Sequence, residues 1–234
     1  MKNVIAIDGP SGAGKSTVAR ALGAELHLDV LDTGAMYRAA TIAALRGGAD
    51  LSREAEVSNV VRGTTVTAEG GRVTLDGTDV TDDVRTPEVT AAVSAVAANP
   101  AVREILVSAQ RAWLASRHAG IVEGRDIGTV VFPDAAVKIY LTASDEERAR
   151  RRSADEHAAQ RSSSVSAERQ RLAERDRLDS TRSTSPLARA ADALEIDSTH
   201  TSVGEIVSTV ARLFRERTSP TRGGGDTGGG EGPG

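Results

Sequence analysis

The chain has 234 residues and no cysteine, with 29 basic and 33 acidic side chains and a formal net charge of −4. The lack of cysteine excludes disulfides, cysteine zinc sites and thiol nucleophiles, and it suits a reducing compartment. The negative charge argues against unselective binding to nucleic acid or to an acidic membrane. The length fits one large α/β domain, or a core with small insertions.

The apolar runs of the sequence are short. The first apolar run, Val4 to Ile7, has only four residues, too few for a signal peptide, and no run of about 18 apolar residues follows. We therefore expect a cytoplasmic protein. Residues 218–234 hold 8 of the 23 glycines and no large apolar side chain, so we expect a disordered tail there.

Apolar patterning predicts alternating strands and helices in the first 45 residues. The predicted elements are a strand at 3–8, a helix from Ser16, a strand at 28–31 and a helix at 35–45. This alternation is typical of parallel βαβ units.

The pattern changes at 64–75, where apolar residues alternate on both sides of Glu69-Gly70-Gly71-Arg72. Such a pattern predicts an antiparallel hairpin and suggests a small inserted subdomain. The remaining predicted elements are helices at 88–98 and 101–117, strands at 120–123 and 136–141, a charged helical region at 144–181, a strand at 193–196 and a helix at 202–217. Ser202 and Glu205 have the spacing of a capping box for the last helix.

A glycine-rich loop between the first strand and the first helix matches G-x-x-x-x-G-K-[ST]. Its nine residues are Gly9, Pro10, Ser11, Gly12, Ala13, Gly14, Lys15, Ser16 and Thr17. Glycines let successive N–H groups turn inward around an anion at a helix N-terminus. Lys15 can reach the β- and γ-phosphates, and the Ser16 hydroxyl suits a Mg²⁺ ligand. The loop therefore predicts a nucleoside triphosphate site.

The loop alone does not indicate which class of enzyme the protein belongs to. A small-molecule kinase fits better than a guanine-nucleotide switch, because no Asn-Lys-x-Asp motif follows, and better than a motor, which would usually be longer. Residues at the carboxyl ends of parallel strands should face the phosphates, which places Thr33, Arg38 and Arg125 near the donor. Glu123 could orient a Mg²⁺-bound water, although a simple strand-end charge explains it equally well.

Five blocks of sequence resemble the bacterial cytidylate kinases. They are GPSGAGKST, LDTGAMYR, EVTAAVSAVAANPAVRE, GRDIGTVVFPDAAVKIYL, and ERDRLDSTRSTSPL with ALEIDST, in order from about Val4 to Phe214. The resemblance implies a P-loop NTPase fold with a five-stranded parallel sheet over residues 1–217. It also implies an acceptor-binding insertion at 57–98 and a lid at 145–181.

The same resemblance implies an activity and its partners. The γ-phosphate of ATP would pass to CMP or dCMP, giving ADP and CDP or dCDP, with Mg²⁺ as cofactor and a monomer as the working unit. Uracil would present an acceptor to Asp126 where cytosine presents an amino donor, which predicts selection against UMP.

The resemblance also assigns site residues. The base would be bound by Ser94, Arg103 and Asp126. The acceptor phosphate would be held by Thr33, where relatives often have serine, and by Arg38, Arg125 and Arg182. The ribose would lie near Arg175, Asp179 and Arg182, and Lys15, Arg125 and Arg182 would be catalytic. The cluster Arg148, Arg150, Arg151 and Arg152 would supply transition-state stabilisers.

Two alternatives stay open from the sequence. Another small P-loop kinase, for a different nucleoside monophosphate or a shikimate-type acceptor, would share the donor loop but would not need the base-binding set. A nucleotide-binding regulator without turnover would not need a second group of phosphate-binding arginines.

Overall fold

The structure is a computed structural model that describes residues 3–158 and 164–219. The helices are α1 (Lys15–Leu26), α2 (Thr33–Arg46), α3 (Glu54–Arg62), α4 (Pro87–Ala98), α5 (Pro100–Ala115), α6 (Asp145–Ala158), α7 (Val165–Ser180) and α8 (Val203–Thr218). The strands are β1 (Val4–Asp8), β2 (Val30–Asp32), β3 (Val66–Glu69), β4 (Arg72–Leu75), β5 (Thr78–Asp79), β6 (Gly120–Glu123), β7 (Val137–Thr142) and β8 (Leu194–Asp197). Most of the predicted tail, and part of the predicted lid, lie outside the described residues.

The eight strands form one sheet in the order β5-β4-β3-β2-β6-β1-β7-β8. The five strands from β2 to β8 in that order pair in parallel, which confirms the predicted parallel core. The predicted hairpin is β3–β4, and it extends the same sheet, because β3 pairs antiparallel with β2 at Leu31 and Glu69. The sheet is therefore mixed and larger than the five strands expected from the sequence.

Side chains of β1 alternate between two apolar layers, one on each face of the sheet. Val4 and Ala6 pack in the layer formed with α2, α3, α4 and α5. Ile5 and Ile7 pack in the other layer, with α1 and α8. Because both faces are covered, β1 is buried along its whole length, as expected for a central parallel strand.

The second strand lies two residues later than its predicted position. Leu28 is half-buried, and its N–H donates to the carbonyl of Gly23, so it belongs to the turn after α1. At the other end of β2, the Asp32 carboxylate accepts from the N–H of Ala35 and starts α2 at Thr33. Among the described residues, no helix is both long and apolar enough to cross a membrane.

Candidate active site

A cleft of about 1040 Å³ opens at the carboxyl ends of the parallel strands. Because these strands end at one edge of the sheet, the loops that follow them meet there. All nine residues that the sequence assigned to the acceptor line this cleft: Thr33, Arg38, Ser94, Arg103, Arg125, Asp126, Arg175, Asp179 and Arg182. Lys15 and Ser16 of the donor loop line it too, so one cavity serves both groups.

The donor loop connects β1 to α1 through three glycines with positive φ. These angles are +147° at Gly9, +79° at Gly12 and +88° at Gly14. A β-carbon at Gly9 would lie 2.1 Å from the carbonyl oxygen of Leu141 in the neighbouring strand, so only glycine fits. The loop therefore has both the torsions and the close packing that a backbone anion site needs.

Lys15 begins α1 and is buried in the loop. Its ammonium group donates to the carbonyl oxygens of Gly9 at 2.8 Å and Pro10 at 2.7 Å. Burial and the nearby Arg125 together lower the pKa of Lys15 to about 7, and Glu123 opposes the change. A phosphate group near this ammonium would relieve the repulsion from Arg125, so the loop favours an anion at this place.

Ser16 contacts a carboxylate at the end of β6. Its hydroxyl donates to Oε2 of Glu123 at 3.0 Å. Asp32 and Glu123 are register partners at the ends of adjacent strands. Burial raises the pKa of Glu123 to about 7, and the negative charge of Asp32 adds to the rise.

Arg103 and Asp126 form a buried ion pair deep in the cleft. Each side chain is 6% exposed, and Nη2 of Arg103 donates to Oδ2 of Asp126. Nη1 of Arg103 also donates to the carbonyl of Ala97, and the guanidinium lies 5.4 Å from the centroid of the Tyr37 ring. Burial raises the pKa of Asp126, while Arg103 and Arg182 act against this rise. A buried donor and a buried acceptor thus lie side by side, as recognition of a base edge requires.

Arg125 connects the donor loop with α7. Its Nη1 donates to the carbonyl of Gly9 at 3.0 Å, and its Nε donates to Oδ2 of Asp179 at 2.9 Å. Burial tends to raise the pKa of Asp179, but Arg125 and Arg175 outweigh that effect and hold it below its ordinary value. Asp179 therefore stays ionised between these two arginines.

Three further cations face the cleft. Burial lowers the pKa of Arg38 to about 9 and that of Arg175 to about 10, and neighbouring arginines add to both changes. Burial also lowers the pKa of Arg182, whose Nη2 has no hydrogen-bond partner among the described residues. All three remain charged at neutral pH, so their mutual repulsion favours an anionic ligand.

Arg38 and Thr33, which were also assigned to the acceptor phosphate, have protein partners as Arg125 does. Arg38 donates from Nη1 to the carbonyl of Val84 and to the hydroxyl of Thr90, both at 2.9 Å. The Thr33 hydroxyl donates to the carbonyl of Glu123 at 2.7 Å, so it would have to turn to donate to a phosphate. Ser94 lies on α4 and lines the cleft half-buried.

Helices α6 and α7 contact the donor loop through the peptide groups of Ser11. Asp176 accepts from the Ser11 N–H at 3.1 Å, and Arg148 donates to the Ser11 carbonyl at 3.0 Å. Asp176 and Arg148 also pair with each other. The two charged helices therefore pack directly on the phosphate-binding loop.

Sequence reasoning missed four residues of this region. Asp32 borders Glu123, Tyr37 lies beside Arg103, and Asp176 holds Ser11. Asp8 accepts from the N–H groups of Ile127 and Gly128. Asp32 and Tyr37 fall inside the block LDTGAMYR and Asp176 inside ERDRLDSTRSTSPL, which could have drawn attention to them, whereas Asp8 lies outside every quoted block.

Comparison with known proteins finds relatives over most of the chain. Over 221 residues, the chain is 48% identical to a cytidylate kinase of Rhodococcus jostii, covering 93% of this chain and 96% of the relative. It is 52% identical over 221 residues to a cytidylate kinase of Pelotomaculum thermopropionicum, covering 91% and 96%.

A solved structure of an uncharacterized protein from Eubacterium ventriosum has a TM-score of 0.51 at 10% identity, covering 92% of this chain and 99% of that one. At this identity the likeness concerns the fold alone. The family model described as cytidylate kinase matches residues 5–216. The chain belongs to the cytidylate kinase family.

Proposed function

We propose that this protein transfers the γ-phosphate of ATP to CMP or dCMP, giving ADP and CDP or dCDP. The observation that carries the proposal is the shared cleft, in which the donor loop with Lys15 and the base-binding pair Arg103–Asp126 open into one cavity. Neither a shikimate-type acceptor nor a regulator without turnover would need that buried pair beside the arginines of a second phosphate site.

The base-binding role follows from hydrogen-bonding chemistry. Cytosine offers an amino donor next to N3 and O2 acceptors. Asp126 can accept from the amino group, while Arg103 and Ser94 donate to the acceptors. With uracil, the carboxylate of Asp126 would face an oxygen and lose its hydrogen bond to the base, which costs affinity.

Phosphoryl transfer needs positioning more than proton transfer. The second pKa of a phosphate monoester is near ~6, so the acceptor oxygen is largely ionised at neutral pH and needs no protein base. That oxygen attacks the γ-phosphorus in line with the leaving ADP. Lys15, Arg125 and Arg182 neutralise the charge on the transferred group, and Arg38 and Arg175 hold the two substrates in the cleft.

The residues around Ser16 fit a magnesium ion. One hydroxyl and two adjacent carboxylates, from Ser16, Asp32 and Glu123, are hard oxygen donors, and Mg²⁺ usually takes one or two carboxylates together with phosphates and waters. The ion would neutralise phosphate charge when bound. In this proposal Ser16 holds it directly, and Glu123 orients the Ser16 hydroxyl.

A panel of acceptors tests the proposal. At fixed ATP and Mg²⁺, a coupled assay of ADP release should give kcat/KM values for CMP and dCMP about 10²-fold or more above those for UMP and AMP, because an unpaired buried group opposes the wrong base. Reactions without acceptor control for ATP hydrolysis. A clear preference for UMP or AMP would contradict the proposed function.

A further inference from the structure

Asp8 is a buried carboxylate to which the proposed reaction gives no role. It is the last residue of β1, directly before the donor loop, and it is 4% exposed. Its Oδ1 accepts from the N–H of Ile127 at 2.8 Å, and its Oδ2 accepts from the N–H of Gly128 at 2.7 Å. Both oxygens of one side chain are therefore bound to consecutive peptide groups, 119 and 120 residues away in sequence.

These two peptide groups directly follow Asp126. On the other side of Arg125, the N–H of Gly124 donates to the carbonyl of Ile7 at 2.9 Å. The end of β1 thus holds the segment 124–128 at both ends. Arg125 and Asp126, the residues assigned to the acceptor phosphate and base, are the only two residues between these anchors.

The Asp8 carboxylate is suited to holding this segment because both of its oxygens accept hydrogen bonds and neither donates one. Two parallel N–H donors need two acceptor oxygens, which an ionised aspartate supplies and an asparagine does not. Hydrogen bonds to an ionised acceptor are also shorter and stronger than neutral ones. Burial raises the pKa of Asp8 to about 6, with the two backbone N–H groups acting against the rise, so the side chain is mostly ionised at neutral pH.

We propose that Asp8 is a positioning residue for the acceptor nucleotide, fixing the backbone that presents Asp126 to the base and Arg125 to the phosphate. The proposal rests on the proposed function, since it assumes a cytosine nucleotide at this place. It assigns no contact between Asp8 and either substrate. The residue acts through the segment 124–128 alone.

The substitution Asp8→Asn tests the role. The asparagine can accept from one N–H only, and its amide would point a donor at the other. We expect KM for CMP to rise about tenfold and KM for ATP to stay within about twofold, because one of two hydrogen bonds is lost on the acceptor side. The preference for CMP over UMP should fall, because Asp126 is no longer held in register.

Asp50→Asn is the matched control. Asp50 also accepts from a backbone N–H, that of Ser52, but it lies on an exposed turn away from the cleft. The KM values and the CMP preference of the Asp50→Asn enzyme should equal those of the wild type. Thermal unfolding of both variants separates a loss of folded protein from a loss of acceptor affinity.

A second variant, Gly128→Ala, disturbs the hydrogen bond between Gly128 and Asp8 by a change at the donor residue. It tests the proposal even if Asp8→Asn does not fold. A β-carbon there would lie 3.3 Å from Oδ2 of Asp8 and 3.1 Å from Cδ of Lys138, so the two partners must move apart. KM for CMP should again rise while KM for ATP stays nearly constant.

Two results would overturn the proposal. One is an unchanged KM for CMP and an unchanged CMP preference in the folded variants. The other is an equal rise of both KM values, which would mean that Asp8 supports the donor loop instead. Turnover of CMP by the wild-type enzyme tests the proposed function separately, so the two failures cannot be confused.

Discussion

Lys15 and Arg125 donate to one and the same oxygen, the carbonyl of Gly9. Both cations are brought close together at the first residue of the donor loop, and the repulsion between them contributes to the lowered pKa of Lys15. Phosphate groups of the two substrates would lie on either side of this point. The two side chains nevertheless have different tasks, because Lys15 belongs to the donor loop and Arg125 follows the strand that leads to Asp126.

Arg125→Ala should therefore separate turnover from ATP binding. We expect kcat with CMP to fall on the order of 10²- to 10³-fold, as for the loss of one group that stabilises transition-state charge. The dissociation constant for ATP, measured by calorimetry, should change by less than about threefold, because Lys15 and the loop amides are intact.

Arg177→Ala is the control for that experiment. Arg177 is exposed on α7, two residues from Arg175, and it pairs only with Glu174 among the described residues. The Arg177→Ala enzyme should match the wild type both in turnover of CMP and in ATP binding. Equal losses of turnover and of ATP binding in Arg125→Ala would show that the site has been assigned wrongly.

The sequence could predict site residues only where the signal is local. The glycines and Lys15 of the donor loop are recognisable by their spacing, and the resemblance added the acceptor set. The contacts of Asp8 and Asp176 join residues that are 119 and 165 positions apart. The first contact arises from the order of strands in the sheet and the second from the packing of α7 on the donor loop, so neither can be read from local spacing.

At the scale of elements, the first residue of α8 is set by a short sequence pattern. The Ser202 hydroxyl accepts from the N–H of Glu205, and the Glu205 carboxylate accepts from the N–H of Ser202. This confirms the predicted capping box. Helix α3 was missed although Val57, Val60 and Val61 have helical spacing, because few large apolar residues accompany them.

Ser202→Ala should lower the free energy of unfolding by about 1 kcal/mol, within the range for removal of an N-cap side chain. Urea denaturation followed by circular dichroism measures the change. Activity should stay the same, since α8 packs on the face of the sheet with α1 and not at the cleft.

Ser208→Ala makes the same substitution at an exposed position inside the same helix. Because alanine has the higher helix propensity, this variant should be as stable as the wild type or slightly more so. A similar loss of stability in both variants would mean that the cap contributes nothing beyond helix composition.

Considered as a whole, the molecule concentrates cations in one place despite its net charge of −4. Eleven arginines and Lys15 line the cleft, against seven carboxylates. The acidic excess therefore lies elsewhere on the surface. A concave site with an excess of one sign of charge attracts opposite charge over a distance comparable to the Debye length.

Added salt should consequently slow the association of substrate with the cleft more than it slows phosphoryl transfer. Between about 50 mM and 500 mM KCl, kcat/KM for CMP should fall several-fold, because screening shortens the reach of the cleft potential. The kcat value at saturating substrates should change less. A fall in kcat with constant kcat/KM would contradict this picture of the cleft.

The attachment of the β3–β4 hairpin to the sheet restricts how the acceptor side can move. Because β3 is hydrogen-bonded to β2, the hairpin cannot swing away from the parallel strands as a separate arm. At the far end of α4, the Asn99 amide donates to the carbonyl of Glu54 and its Oδ1 caps α5. We therefore expect this sheet edge to keep its place when the acceptor binds, while α4, which carries Ser94, is fixed at its far end by Asn99.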